Sequence, residues 1–141
     1  MRNAPLFTAA LIATLAIAAP ARAASPVGRW QTADRGGVVE VFACGPALCG
    51  RVAGSPELDV HPERHDVNNK NPAQRGRLLK GLVFMTGFSG GPREWGGGQI
   101  YRPTNGSTYT GSVTLVDDNT LKLTGCIVRP LCQSQTWHRT K

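Results

Sequence analysis

Downstream of residue 23 the apolar positions alternate with polar ones instead of recurring at helical spacing. Tyr109, Gly111, Val113 and Leu115 occupy every second position of Gly106 to Val116, with Thr108, Thr110, Ser112 and Thr114 between them. That spacing gives a strand one apolar and one hydroxyl-bearing face. The next segment repeats it: Leu121, Leu123 and Gly125 oppose Thr120, Lys122 and Thr124, and Asp117-Asp118-Asn119 supplies the turn between the two. Asn105-Gly106 is a second hairpin signal, following a strand that ends near Arg102. Further short segments rich in Val, Leu, Trp and Thr predict strands at Val27 to Thr32, Val38 to Cys44, Cys49 to Ser55, Leu78 to Phe88, Trp95 to Arg102 and Cys132 to Thr140. The expectation is an all-β chain of about eight antiparallel strands, enough to close into a small barrel that leaves no free edge. A sandwich is the second choice.

Pro56 to Gly76 breaks the rhythm. It is polar, punctuated by proline and without strand or helix periodicity, and loops of that length in a small domain usually carry function or are disordered. Asp66 to Pro72 within it is rich in side chains that cap their own backbone, which predicts an ordered loop.

The first 23 residues differ from the rest. Arg2 supplies a positive start, Leu6 to Ala19 form an apolar run shorter than the roughly 20 residues of a membrane-spanning helix, and Ala21-Arg22-Ala23 is an A-x-A cleavage signal. The prediction is a helical signal peptide over residues 1–23, cut after Ala23, and a single domain over residues 24–141 with no transmembrane segment, located in the periplasm or secreted. Four cysteines, all in that domain, fit the compartment. An even count in an exported chain reads as two disulfides. Each sequential pair, Cys44 with Cys49 and Cys126 with Cys132, flanks a Gly-Pro or Arg-Pro turn that would bring adjacent strands together, which favours two local bridges over the other connectivities. Neither pair is C-x-x-C, so neither a thioredoxin-type redox site nor a zinc ribbon is indicated.

The chain carries a formal charge of +7. Its cations are scattered singly, the pattern of solvated strand faces, and no nucleic-acid footprint is expected. Gly87-Phe88-Ser89-Gly90-Gly91 matches G-x-S-x-G, but Pro92 and Gly96 to Gly98 follow where a nucleophile elbow needs a helix. His61 and His65, with Glu63 and Asp66 nearby, offer metal-ligand atoms, but Pro62 excludes the helical H-E-x-x-H arrangement. No nucleophile, base and orienting group can be assembled from the spacing, so neither enzymatic activity nor a cofactor nor a metal is predicted.

Several ordered motifs carry a resemblance: Gly28-Arg29-Trp30, Cys49-Gly50-Arg51-Val52, Asp66, Asn68, Asn71-Pro72, Arg75-Gly76-Arg77, Gly81-Leu82, Trp95 through Pro103, Gly125-Cys126, and Gln135-Thr136-Trp137-His138-Arg139. Together they resemble the bacterial exported family labelled domain of unknown function 2147. The resemblance implies a lipocalin-like β-barrel of the cell envelope with no established reaction. The Gly28-x-Trp30 start and Trp137-x-Arg139 end also look like the closing elements of a lipocalin, in which an arginine from the last strand covers the tryptophan of the first. A guanidinium over an indole contributes about 0.5–2 kcal/mol and plugs one end of the barrel. Residues 24–141 are short for a lipocalin, which leaves open whether the interior is a cavity or is filled by side chains.

The functional expectation is non-covalent binding of a small apolar molecule. Phe84, Trp95, Tyr101 and Tyr109 are candidate lining residues, with Asp66, Asn68 and Arg77 as polar groups at the mouth. The alternative is an envelope protein-interaction or inhibitor module without a ligand cavity, presenting the Pro56 to Gly76 loop or a strand edge to a partner protein.

Overall fold

The computed structural model describes Ala13, residues 15–34 and residues 36–141. The helical leader expected over residues 1–23 lies for its greater part outside the described residues. Eight strands follow: β1 (Gly28–Gln31), β2 (Val38–Cys44), β3 (Ala47–Gly54), β4 (Val83–Gly90), β5 (Glu94–Arg102), β6 (Ser107–Asp117), β7 (Thr120–Val128) and β8 (Leu131–Arg139). Each pairs antiparallel with the next, and β1 pairs with β8 through Trp30 opposite Arg139 and Gln31 opposite His138, closing the barrel. Closure removes both sheet edges, the arrangement expected from the alternation, and it sets aside the sandwich.

Inside and outside follow the period of two. Val39, Val41, Leu48, Met85, Val113, Leu115, Leu121, Leu123 and Trp137 point into a core completed by Trp30, Phe88 and Trp95. The exterior carries the hydroxyl and charged positions. Arg51 and Glu40 pair across β2 and β3 at 2.9 Å, and Thr124 and Ser134 share a hydrogen bond of 2.8 Å across β7 and β8. No helix among the described residues is long and apolar enough to cross a membrane. Two bridges, Cys44–Cys49 and Cys126–Cys132, tie β2 to β3 and β7 to β8 beside their turns, which is the local connectivity expected.

Two departures from the sequence reading go beyond a shift of one or two residues at a strand end. The strand expected from Leu78 begins only at Val83, because Leu78 makes an isolated bridge to His65 and Leu82 closes a turn on Leu79 in which Gly81 takes a positive φ of 84°. The segment after β3 also holds a helix, α1 (Pro56–Val60), where none was expected. Ser55 caps it by accepting from the Leu58 amide, Pro56 stands in its first turn, and Leu58 is buried. Five residues are too few for a helical period to be legible.

The remainder of the long connection is ordered by its own side chains. Asn71 caps a short 3-10 helix at Pro72–Gln74, Asn69 accepts from the Asn71 amide, and Arg75 donates to the Asn69 carbonyl. The connection docks on the β5–β6 turn, where Asn68 donates to the carbonyls of Pro103 and Thr104. Gly106 makes this approach possible: it has φ of 68°, and a Cβ there would overlap the Asn68 carbonyl.

Candidate functional site: the barrel cavity

The two ends of the barrel are built differently. At the end where the chain enters β1 and leaves β8, Arg139 lies over the Trp30 ring at 4.2 Å, and Trp30, Phe88, Met85, Leu115 and Leu121 fill the interior. Toward the other end several inward positions are small or polar: Gly125 on β7, Gln133 and Gln135 on β8, Thr32 after β1. These cannot fill the space that large apolar residues fill below, and a cavity of about 1040 Å³ opens there.

Its walls come from different strands. Val39, Val52, Phe84, Ile100 and Leu123 supply apolar surface, and Trp137 reaches into it from β8. Phe84 faces inward because the register between β3 and β4 shifts: Gly50 opposes Met85, whereas Arg51 opposes Val83, leaving Phe84 as the extra residue of a bulge. The polar groups are held in place by bonds. Gln135 accepts from the Trp137 indole at 3.1 Å and donates to Asp34 at 3.0 Å, while the Tyr109 hydroxyl accepts from Asn105 at 2.8 Å. That hydrogen bond, together with Ser107 and the nearby Arg102, sets the Tyr109 pKa below the ordinary phenol value. The cavity thus combines apolar walls with a few oriented polar groups, the usual constitution of a small-molecule site.

The candidate residues divide into three groups. Phe84, Tyr101 and Tyr109 line the cavity. Trp95 is buried in the packed end and lines neither the cavity nor the outer groove described below. Asp66, Asn68 and Arg77 belong to the long connection, outside the barrel. Asp66 is 1% exposed. Its carboxylate accepts from the Tyr101 hydroxyl at 2.7 Å, from Asn69 Nδ2 at 2.9 Å and from Arg77 Nε at 2.9 Å, so its bonding capacity is used in fastening the connection to the barrel wall. Burial pushes the Asp66 carboxyl up, but the three hydrogen bonds and the Arg77 charge outweigh it, and the pKa lies below the ordinary value. Tyr101 moves upward, by burial first and then by its bond to the Asp66 carboxylate. Arg77 also lies 5.1 Å from the Tyr101 ring centroid and borders a groove of about 510 Å³ between the connection and the outer wall, with Thr86 and Gln99 opposite.

The other chemical motifs have ordinary settings. Ser89 lies within β4 opposite Gly96, and the chain turns directly into β5 without a helix. His61 ends α1 with Nδ1 3.3 Å from Glu63 Oε1, while His65 forms the bridge to Leu78. Gln133 and Gln135 are among the lining residues that sequence reasoning missed, as are Val39, Val52, Ile100 and Leu123. The signal of the two glutamines was present, as polar residues in register with Trp137 on the inward face of the last strand.

A closed eight-stranded barrel with one plugged and one open end is the architecture of lipocalin-like proteins. The chain belongs to the family described as uncharacterized protein conserved in bacteria (DUF2147), which it matches over residues 28–139, the whole of the barrel. It is also similar to a solved Helicobacter pylori protein described as belonging to the lipocalin family, with 25% identity, a TM-score of 0.74 and 82% of each chain covered. No curated protein matches the chain significantly.

Proposed function

We propose that this protein is a carrier that works outside the cytoplasm and holds a small, largely apolar molecule non-covalently in the open end of its barrel. The cavity carries this reading. Its volume of about 1040 Å³ lies at the upper end of what small-molecule sites enclose, and its walls are mainly apolar. The ligand's apolar body would rest against Phe84, Ile100 and Leu123, and its polar end would meet Gln133, Gln135 or Tyr109. Two disulfides and the leader pattern of residues 1–23 support export. A module acting only through its surface has no use for an interior of this size.

The test is native mass spectrometry of the protein isolated from the envelope of the cells that make it, followed by extraction. A stoichiometric small molecule that is lost on Tyr109→Ala or Phe84→Ala substitution, yet retained on substitution of a residue remote from the cavity, supports the carrier. A chain that arrives empty and takes up no apolar probe overturns it. N-terminal sequencing of the same material tests export, with Ala24 expected as the first residue.

A further inference from the structure

The exposed apolar surface is unevenly distributed. Val60, Val67, Leu78, Val83 and Val116 are exposed at separate places along the chain, as is normal for any protein surface. Ile127, Val128 and Leu131, by contrast, sit together on the tip of one hairpin and are 76%, 61% and 64% exposed. Val128 opposes Leu131 at the end of the β7–β8 ladder, and Arg129-Pro130 makes the turn. Just behind the tip, Cys126 opposes Cys132 and is bonded to it, so the tip projects as a stapled unit. Ile127, Pro130 and Leu131 also line the cavity, which places this apolar point on its rim.

Cationic side chains stand at the same end of the barrel as the tip. Arg129 is exposed and has no carboxylate partner among the described residues. Arg102 lines the same cavity, and Lys70 is held at the neighbouring β5–β6 turn by its bond to Ser107. Asp34, the acid that lines the cavity, is bonded to Gln135.

We propose that the β7–β8 hairpin tip docks the protein on an anionic lipid surface, Ile127, Val128 and Leu131 entering the interfacial region while Arg129 meets the lipid phosphates, so that the cavity mouth opens against the bilayer. Apolar side chains flanked by cations are what such a surface binds, by area buried and by charge. A stable protein partner fits less well, since each side of such an interface contributes roughly 800 Å², more than a two-residue turn and its flanks present. Lipid, unlike a protein, needs no matching shape. The docking surface stands on the hairpin and does not require that the cavity hold a ligand.

Vesicle flotation of the envelope-purified protein tests it, comparing phosphatidylcholine vesicles with and without phosphatidylglycerol. The wild-type chain is expected to float with the anionic vesicles and to be released by salt. The Ile127→Ser/Val128→Ser/Leu131→Ser variant should lose about tenfold in partitioning, and Arg129→Gln a few-fold. All four side chains are exposed, so circular dichroism should report an unchanged barrel. A Leu131→Trp variant gives a second readout, a blue shift of its fluorescence on anionic vesicles against the buried native tryptophans. The proposal is overturned if the wild-type chain stays unbound with both vesicles, or if the serine variant floats equally well. It is also overturned if the wild-type chain proves to be a dimer that the serine variant dissociates, which would make a second copy the occupant of the tip. Val52→Trp, which narrows the cavity and leaves the tip intact, should float like wild type; loss of flotation there would mean that lipid enters the cavity instead of the tip entering lipid.

Discussion

Arg139 closes the barrel over Trp30. Its guanidinium lies 4.2 Å from the indole ring and donates to the carbonyls of Ser25, Val27 and Asp118, while the indole N–H donates to Pro26. One side chain from the last strand therefore holds the entering chain, the first strand and the β6–β7 turn together. Arg139→Ala should lower unfolding stability by about 2–3 kcal/mol, and Arg139→Lys should recover only part, since an ammonium cannot reach three carbonyls in a fixed fork. Gly28 supports the same contact: it has φ of 142°, and a Cβ there would stand 2.6 Å from Arg139 Nη1. Gly28→Ala should thus destabilise by a similar mechanism. Denaturant unfolding of the three variants checks both expectations.

Asp66 should make the fold acid-sensitive. Its folded pKa lies below its unfolded value, so the unfolded chain binds the proton more readily. The stabilisation is fully present above the unfolded pKa of about 3.9 and is lost as pH falls through the folded value. Asp66→Asn removes the charge that Arg77 pairs with and should cost about 2 kcal/mol at neutral pH, with a shallower fall in melting temperature below about pH 4 than wild type shows. Identical acid slopes for the two chains would remove Asp66 from the account.

Narrowing the cavity should weaken probe binding without unfolding the barrel. Val52 is partly exposed within the cavity. Val52→Trp is expected to weaken binding of an apolar fluorescent probe by about tenfold or more, while its melting temperature stays near that of wild type. Trp95→Phe, in the packed end, should lower stability and leave probe affinity within a few-fold.

The Cys126–Cys132 bridge spans a short loop, so its effect on the unfolded chain is modest. Cys126→Ser/Cys132→Ser should lower stability by about 2 kcal/mol. Before reduction the wild-type chain should show no titratable thiol, and afterwards four.

Much of this molecule is written in its local pattern. Alternation along Gly106 to Gly125 and turn residues at Asp117-Asp118-Asn119 determine β6 and β7 with their inward sets, because a period of two leaves one choice once a face is apolar. Cysteines five and six residues apart across tight turns have few partners in reach, which is why both bridges were legible. Trp30 and Arg139 could be paired only through the resemblance, since they stand at opposite ends of the chain. What the tertiary structure alone decided is where the interior stops being filled. Phe84 and Trp95 are both aromatic residues on strands, yet a bulge opposite Gly50 turns Phe84 into the open end while register seats Trp95 in the packed one. Asp66, Asn68 and Arg77 looked like the polar mouth of a pocket. They instead fasten a long loop to the outside of the wall, because a loop's docking position depends on contacts with residues some 35 positions away that no local spacing encodes.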